Sequence, residues 1–371
     1  MITLLEKLEK EHRLTADEYA VLLDNRSDEL AKELFARAVR VRKEIYGNDV
    51  YVRGLIEFTN YCKNNCYYCG IRAGNSKAER YRLSAEDILF CCEKGYRIGY
   101  RTFVLQGGED PSYTPEKIAN LVAQIKARYP DCAVTLSVGE HSKAVYQTWF
   151  DAGADRYLLR HETADCDHYA KLHPQNLTLE NRKRCLYDLK EIGYQVGCGF
   201  MVGSPGQTNR ELAKDLKFIE ELDPHMVGIG PFIPHKDTPF GNEKAGNLEL
   251  TLFLLGIIRL ISPGVLLPAT TALGTIRKNG RELGILAGAN VCMPNLSPED
   301  VRKKYMLYDN KLSSGAESAD ALQTLSEQMK AIGYQVVVNR GDCKKIKRTY
   351  RKLKGERENV RSQIDEGRGI H

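Results

Sequence analysis

Between residues 52 and 293, short runs rich in β-branched and aromatic residues alternate with longer stretches of helical periodicity. The short runs fall at 52–58, 102–106, 133–138, 156–160, 196–202, 226–232, 265–269 and 290–293. Helical stretches occupy 85–96, 115–129, 179–192, 209–222 and 248–260, Trp149 marks a short sixth helix, and 281–286 makes a brief seventh. A strand that returns parallel to its predecessor needs a crossover connection, so this rhythm commits the chain to an α/β fold with a parallel sheet and its helices outside. Eight alternations over roughly 250 residues match the size of a closed (β/α)8 barrel of the TIM type. A six-unit partial barrel is the alternative.

The flanks read differently. Residues 1–47 repeat apolar positions at helical spacing among Glu, Lys and Arg, which predicts an N-terminal extension of two or three amphipathic helices. The barrel is expected over 48–296. A short C-terminal extension follows over 297–343, with a helix near 319–332 and a strand near 334–338. Residues 344–371 form a basic tail, expected to be partly disordered. The formal charge of +5 sits largely in that tail, so the body is close to neutral and nothing demands nucleic acid. The longest apolar run, 252–261, is too short to cross a bilayer, and the start of the chain is not a signal peptide; a cytoplasmic location is expected. The eleven cysteines are an odd count in a large chain and are better read as reduced thiols than as a disulfide framework.

Three of those cysteines stand apart. Cys62, Cys66 and Cys69 lie in the loop that leaves the first strand, Asn60-Tyr61-Cys62-Lys63-Asn64-Asn65-Cys66-Tyr67-Tyr68-Cys69. A structural zinc site takes four ligands, and no partner pair follows at suitable spacing; Cys91 and Cys92 are adjacent in a helical stretch and face different ways. Ordinary ferredoxin clusters also take four thiolates. Three therefore fit a 4Fe-4S cluster with one iron open, where the amine and carboxylate of an amino acid can chelate. If S-adenosylmethionine (SAM) binds there, one electron passed to its sulfonium releases a 5'-deoxyadenosyl radical. The alternative is three thiols sharing a loop by accident.

The C-x3-C-x-aromatic-C pattern, with Tyr68 at the aromatic position, resembles the signature of the radical SAM superfamily. Gly107-Gly108-Glu109, closing the second strand, resembles its second marker, in which glycine allows close approach to the methionyl amine of SAM. Further segments resemble the biotin synthase-like branch and, within it, the FeFe-hydrogenase maturases: 80–82, 104–110, 157–163, 202–208, 228–235 and 268–272. The resemblance implies a barrel of the radical SAM class and SAM contacts from Glu162 and Arg182. It also implies that Gln106, Thr135, Arg160, Thr270 and Thr271 face the substrate. Arg160 is a fork suited to a carboxylate, though it could instead pair with Glu162. His161, His173 and His235 share no ligand spacing, and Met201 reads as barrel filling.

Two departures bear on cofactor count. Biotin synthase holds a second, sulfur-donating cluster on barrel cysteines, but the comparable positions here are Gln106, Thr135 and Gly197, with Cys198 one place off. Some maturases of this group carry a C-terminal cysteine trio, whereas only Cys343 lies beyond Cys292. The expectation is one 4Fe-4S cluster plus SAM, acting on a small organometallic or amino-acid-like substrate, with other hydrogenase maturases and a reductant protein as partners and neither nucleic acid nor membrane. A methylornithine synthase-like mutase is the second reading; a plain iron-sulfur electron carrier fits the Gly-Gly-Glu marker poorly.

Overall fold

The computed structural model describes residues 1–312 and 319–345; residues 313–318 and most of the basic tail, from 346 on, lie outside the described residues. Three helices come first, α1 (Ile2–Glu11), α2 (Ala16–Asp24) and α3 (Asp28–Tyr46). Thr15 and Glu18 exchange hydrogen bonds as a capping box at the start of α2, and Ser27 caps α3.

The chain then runs through β1 (Asp49–Val52), β2 (Gly54–Thr59), α4 (Ala85–Arg97), β3 (Thr102–Gly107), α5 (Pro115–Arg128), β4 (Ala133–Ser137), α6 (Lys143–Asp151) and β5 (Arg156–Leu158). Next come α7 (Cys166–Leu172), α8 (Leu179–Ile192), β6 (Gln195–Cys198), β7 (Met201–Val202), α9 (Asn209–Leu222), β8 (Met226–Val227) and β9 (Gly230–Pro231). The described chain ends with α10 (Leu248–Ile261), α11 (Thr271–Ile276), α12 (Gly280–Leu286), β10 (Val291–Cys292), α13 (Glu299–Arg302), α14 (Ala319–Ala331) and β11 (Gln335–Val337). Each helix from α4 to α10 starts on a Ser, Thr, Asp or Asn whose side chain accepts a first-turn N–H, which is why the crossovers begin where they do.

Six strands form a regular parallel ladder in the order β2-β3-β4-β5-β6-β8. The circuit continues through single parallel bridges: Met226 to Leu266, Pro268 to Val291, and Asn295 back to Leu55. The seventh expected strand, 265–269, is thus a bridged stave rather than a laddered one. Pro268 and Pro294 lack the N–H groups a full ladder would use there. Two expected strands are also split. At 196–202 the break falls at Gly199, φ +155°, where a Cβ would lie 1.9 Å from the Gly228 carbonyl oxygen. Beyond it β7 pairs with β9 as a separate parallel pair.

Almost every side chain of α10 is buried, because it is packed between the sheet layer and α1 and α3. Gly256 permits this: a Cβ there would meet the Leu34 side chain at 2.9 Å. After β11 joins the edge of β1 in parallel, residues 340–345 strap the N-terminal ends of the strands. Thr102 Oγ1 and Arg156 Nη2 donate to the Arg340 carbonyl, each at 2.8 Å, and Arg156 and Gln195 both donate to Asp342 Oδ1. Among the described residues no helix is long and apolar enough to cross a membrane.

Candidate active site

At the opposite, C-terminal ends of the strands lies a cavity of about 350 Å³. Its walls gather Cys62, Cys66, Tyr68, Cys69, Gln106, Gly107, Gly108, Glu109, Arg160, Glu162, Arg182, Thr270 and Thr271, all but one of the residues singled out from sequence. Thr135 is the exception: it borders a separate small cavity toward the strapped end, with Arg53, Arg156 and His225. Ser137, two residues further along β4, lines the main cavity instead.

The cysteine loop has no regular secondary structure, so side chains hold it. Arg80 donates to the carbonyls of Asn60, Ile71 (2.8 Å), Arg72 (2.7 Å) and Asn75 (3.2 Å). Asn60 donates to Glu79 and Lys304 carbonyls and accepts the Tyr81 N–H. The end of β3 passes directly beneath: a Cβ on Gly108 would lie 2.2 Å from the Tyr61 carbonyl oxygen and 2.7 Å from Cys62 Cβ. In this structure the bareness of Gly108 is required by the cysteine loop itself.

All three cysteines are free and half-buried. Burial pushes the Cys66 thiol up to about 12, with Arg182 pulling the other way and Cys62 adding to the rise. Burial also raises Cys62, and for Cys69 the charges of Cys66 and Cys62 add to it. Three thiols held protonated chiefly by burial suit a strongly cationic occupant that displaces their protons. Soft, all-sulfur donors suit iron-sulfur clusters. Among the described residues no three His, Cys, Asp or Glu side chains converge on a single ion. A four-iron cluster asks for three thiolates on three separate irons, which a shared cavity wall can supply.

Around the thiols, Tyr68 Oη sits 3.1 Å from His173 Nε2. Buried Glu109 accepts the Glu140 N–H at 2.9 Å and pairs with Lys63 at 3.1 Å. Gly139, at φ +84°, leaves room for that carboxylate. Arg182 is held by Glu140 and donates to the Arg160 carbonyl at 2.6 Å.

Arg160 Nη2 lies 3.0 Å from Glu162 Oε2, so the alternative pairing is present. The two are nevertheless not aligned for a hydrogen bond, and Arg160 Nε, Arg160 Nη2 and Thr270 Oγ1 are buried without a hydrogen-bond partner. Thr270 occupies the N-cap of α11, yet its hydroxyl does not cap the helix. Gln106 Nε2 reaches Tyr305 Oη at 3.4 Å.

Sequence reasoning missed Glu57 and Lys311. Glu57, fully buried on β2, accepts from Lys311 Nζ at 2.6 Å and from Asn295 Nδ2 at 2.8 Å. With Tyr305 and Tyr308, Lys311 belongs to a return of the chain over the cavity. Glu140 was also missed, although it follows a strand end as Glu109 does. Met201 lines the cavity as well as filling the barrel. His161 faces Asp215 and His235 faces Asp309, and neither lines the cavity.

A parallel βα circuit whose C-terminal mouth carries a three-cysteine loop beside a Gly-Gly-Glu turn defines a radical SAM enzyme, and the Radical SAM superfamily profile matches residues 56–219. The chain is 43% identical over 330 residues, 89% of its length and 94% of the relative's, to the [FeFe] hydrogenase maturase subunit HydE of Thermotoga maritima. It belongs to the HydE family within that superfamily. It is also 30% identical over 309 residues to 3-methylornithine synthase of Methanosarcina acetivorans, covering 83% of this chain and 87% of that one. The crystal structure of a methylornithine synthase (PylB) superposes with a TM-score of 0.78 at 26% identity, covering 90% of this chain and 97% of that one. Membership implies a 4Fe-4S cluster, SAM and reductive SAM cleavage.

Proposed function

We propose that this chain carries one 4Fe-4S cluster, held by Cys62, Cys66 and Cys69, and acts in the cytoplasm on a small organometallic or amino-acid-like substrate during assembly of the diiron subcluster of FeFe hydrogenase. The observation that carries the reading is the lining of one cavity. The three cysteines share it with Arg160 and Thr270, which there hold buried polar atoms without a hydrogen bond. When bound, the cluster and SAM supply a 5'-deoxyadenosyl radical.

The chain's own residues do the rest. Glu109, Glu162 and Arg182 orient SAM, with Tyr68, Gly107 and Gly108 shaping its place beside the cysteines. Arg160 grips a substrate carboxylate with its planar fork, since its pairing with Glu162 leaves Nε and Nη2 without an aligned hydrogen bond. Thr270, Thr271 and Gln106 supply further hydrogen bonds. Tyr305, Tyr308 and Lys311 cover the cavity and keep water from a reactive radical. One cluster agrees with the remaining thiols: Cys343 is at the strapped end, donating to the Gly264 carbonyl at 3.0 Å, and Cys198 is buried in β6. Thr135 takes no part in this reading. Other hydrogenase maturases and a reductant protein are the expected partners.

Reconstituted without oxygen and given SAM and dithionite, the wild type is expected to release 5'-deoxyadenosine and Cys66→Ala to release none; no release by the wild type sinks the enzyme reading. The mutase reading draws on the likeness to methylornithine synthase. A cell-free hydrogenase maturation mixture lacking only HydE separates the two. Restored hydrogenase activity on adding this protein supports the maturase, and absence of restoration favours the mutase.

A further inference from the structure

Glu162 sits on costly backbone. Its φ is +64°, and the Thr163 N–H donates to the His161 carbonyl at 2.8 Å, closing a three-residue γ-turn with Glu162 at its centre. Such turns with positive φ are rare and strained for a residue bearing a side chain, and they persist only where surrounding structure over-determines them. The turn aims the Glu162 side chain into the cavity.

What over-determines this one is a buried polar pair behind it. His161 and Asp215 are each fully buried. Asp215, on α9, accepts the Ala164 N–H at 2.5 Å through Oδ1, and the same oxygen lies 3.3 Å from His161 Nε2. The remaining ring nitrogen, Nδ1, faces the Gly199 N–H at 3.4 Å, and that N–H can only donate. The Glu162 N–H in turn donates to the Gly199 carbonyl at 3.0 Å. One carboxylate thus engages the first residue of the γ-turn, His161, and the residue that follows the turn, Ala164. His161 Nε2 and Asp215 Oδ2 have no aligned hydrogen-bond partner, and neither residue lines the cavity. Burial pushes Asp215 up and His161 down, so both groups are held at the expense of their charged forms. Apolar side chains would pack there at less cost.

We infer that His161 and Asp215 are positioning residues: the pair fixes the γ-turn that presents the Glu162 carboxylate, and thereby sets affinity for SAM without touching it. This rests on the reading of Glu162 as a SAM contact. The test is a double-mutant cycle on the full, cluster-reconstituted chain, with SAM binding measured by equilibrium dialysis at matched iron content for wild type, Asp215→Asn, Glu162→Gln and the double variant. Asp215→Asn is expected to bind SAM about tenfold more weakly, within the range of couplings between residues of one network. The double variant is expected to bind no more weakly than Glu162→Gln alone. An Asp215→Asn loss of the same factor in both backgrounds, or no loss in the wild-type background, overturns the inference and leaves SAM binding intact as a reading. A wild type that binds no SAM overturns both. If Asp215→Asn does not yield folded protein, His161→Gln, which keeps an acceptor for the Gly199 N–H, takes its place in the same cycle with the same outcomes.

Discussion

At the scale of single residues, Gly108 and Arg160 show how little latitude the cavity has. A methyl group at Gly108 would collide with backbone, the Tyr61 carbonyl at 2.2 Å, which cannot swing aside as a side-chain tip can. Gly108→Ala is therefore expected to displace the cysteine loop and lower iron incorporation on reconstitution to less than about half, read by iron analysis. Iron content equal to wild type would show that the cysteine loop tolerates a side chain at Gly108. Arg160→Lys keeps the charge but replaces a planar fork with a single ammonium. SAM cleavage is expected to continue while product formation from the natural substrate falls by about tenfold or more, as for loss of one good charge-assisted hydrogen bond. The same scale shows where sequence reading stops. Thr135 and Ser137 point to one face of β4, because strand side chains repeat every second residue. Periodicity cannot choose between them; their depth in the barrel depends on the register with β3, in which Val104 pairs with Thr135 and Gln106 with Ser137.

At the scale of elements, the crossover helices were legible because each combines an apolar stripe with a capping residue, both local signals. The stave at 265–269 was recognisable as an apolar segment but not as a bridged one, since proline placement only matters once the neighbours are known, whereas 290–293 holds β10, paired with β1. The contacts of α3 with α10 and of α2 with α9 are the main helix-to-helix seams by which the N-terminal segment holds to the barrel. Leu34 lies in the first, completely buried against Gly256. Leu34→Ala is expected to cost about 2–5 kcal/mol in urea unfolding, as for other buried leucines. SAM cleavage at permissive temperature should stay near wild type, because the seam lies on the outer helical layer. A loss of less than about 1 kcal/mol would mean that the seam can collapse around the gap.

At the scale of the whole molecule, the barrel has one end given to chemistry and the other closed by the chain's return. The strap turns on Asp342. Burial raises its pKa, but hydrogen bonds from Arg340, Gln195 and Arg156 outweigh that and hold the carboxyl below its usual range. A carboxylate depressed in the folded state contributes stability that is present above its unfolded value, about 3.9, and is lost as pH falls through the folded value. The melting temperature of Asp342→Asn is thus expected to lie below wild type at neutral pH, with the gap closing in strong acid. A gap that stays constant down to about pH 2 would show that the carboxylate charge is not what ties the strap.

By itself the sequence determined the βα rhythm, the long crossover helices and the cysteine loop beside its Gly-Gly-Glu turn, but not the short helices α7, α11 and α13. Each of these is written in residues near one another along the chain, where periodicity, caps and spacing act directly. Only the tertiary structure decided which polar groups meet across the cavity. Glu57 and Lys311 join at a separation of 254 positions, and Asp215 reaches back from α9 to His161 in the loop after β5. Such meetings depend on strand register, on the bridged closure of the last two staves and on how the chain returns over the mouth. Those follow from packing the whole barrel, and no local pattern encodes them.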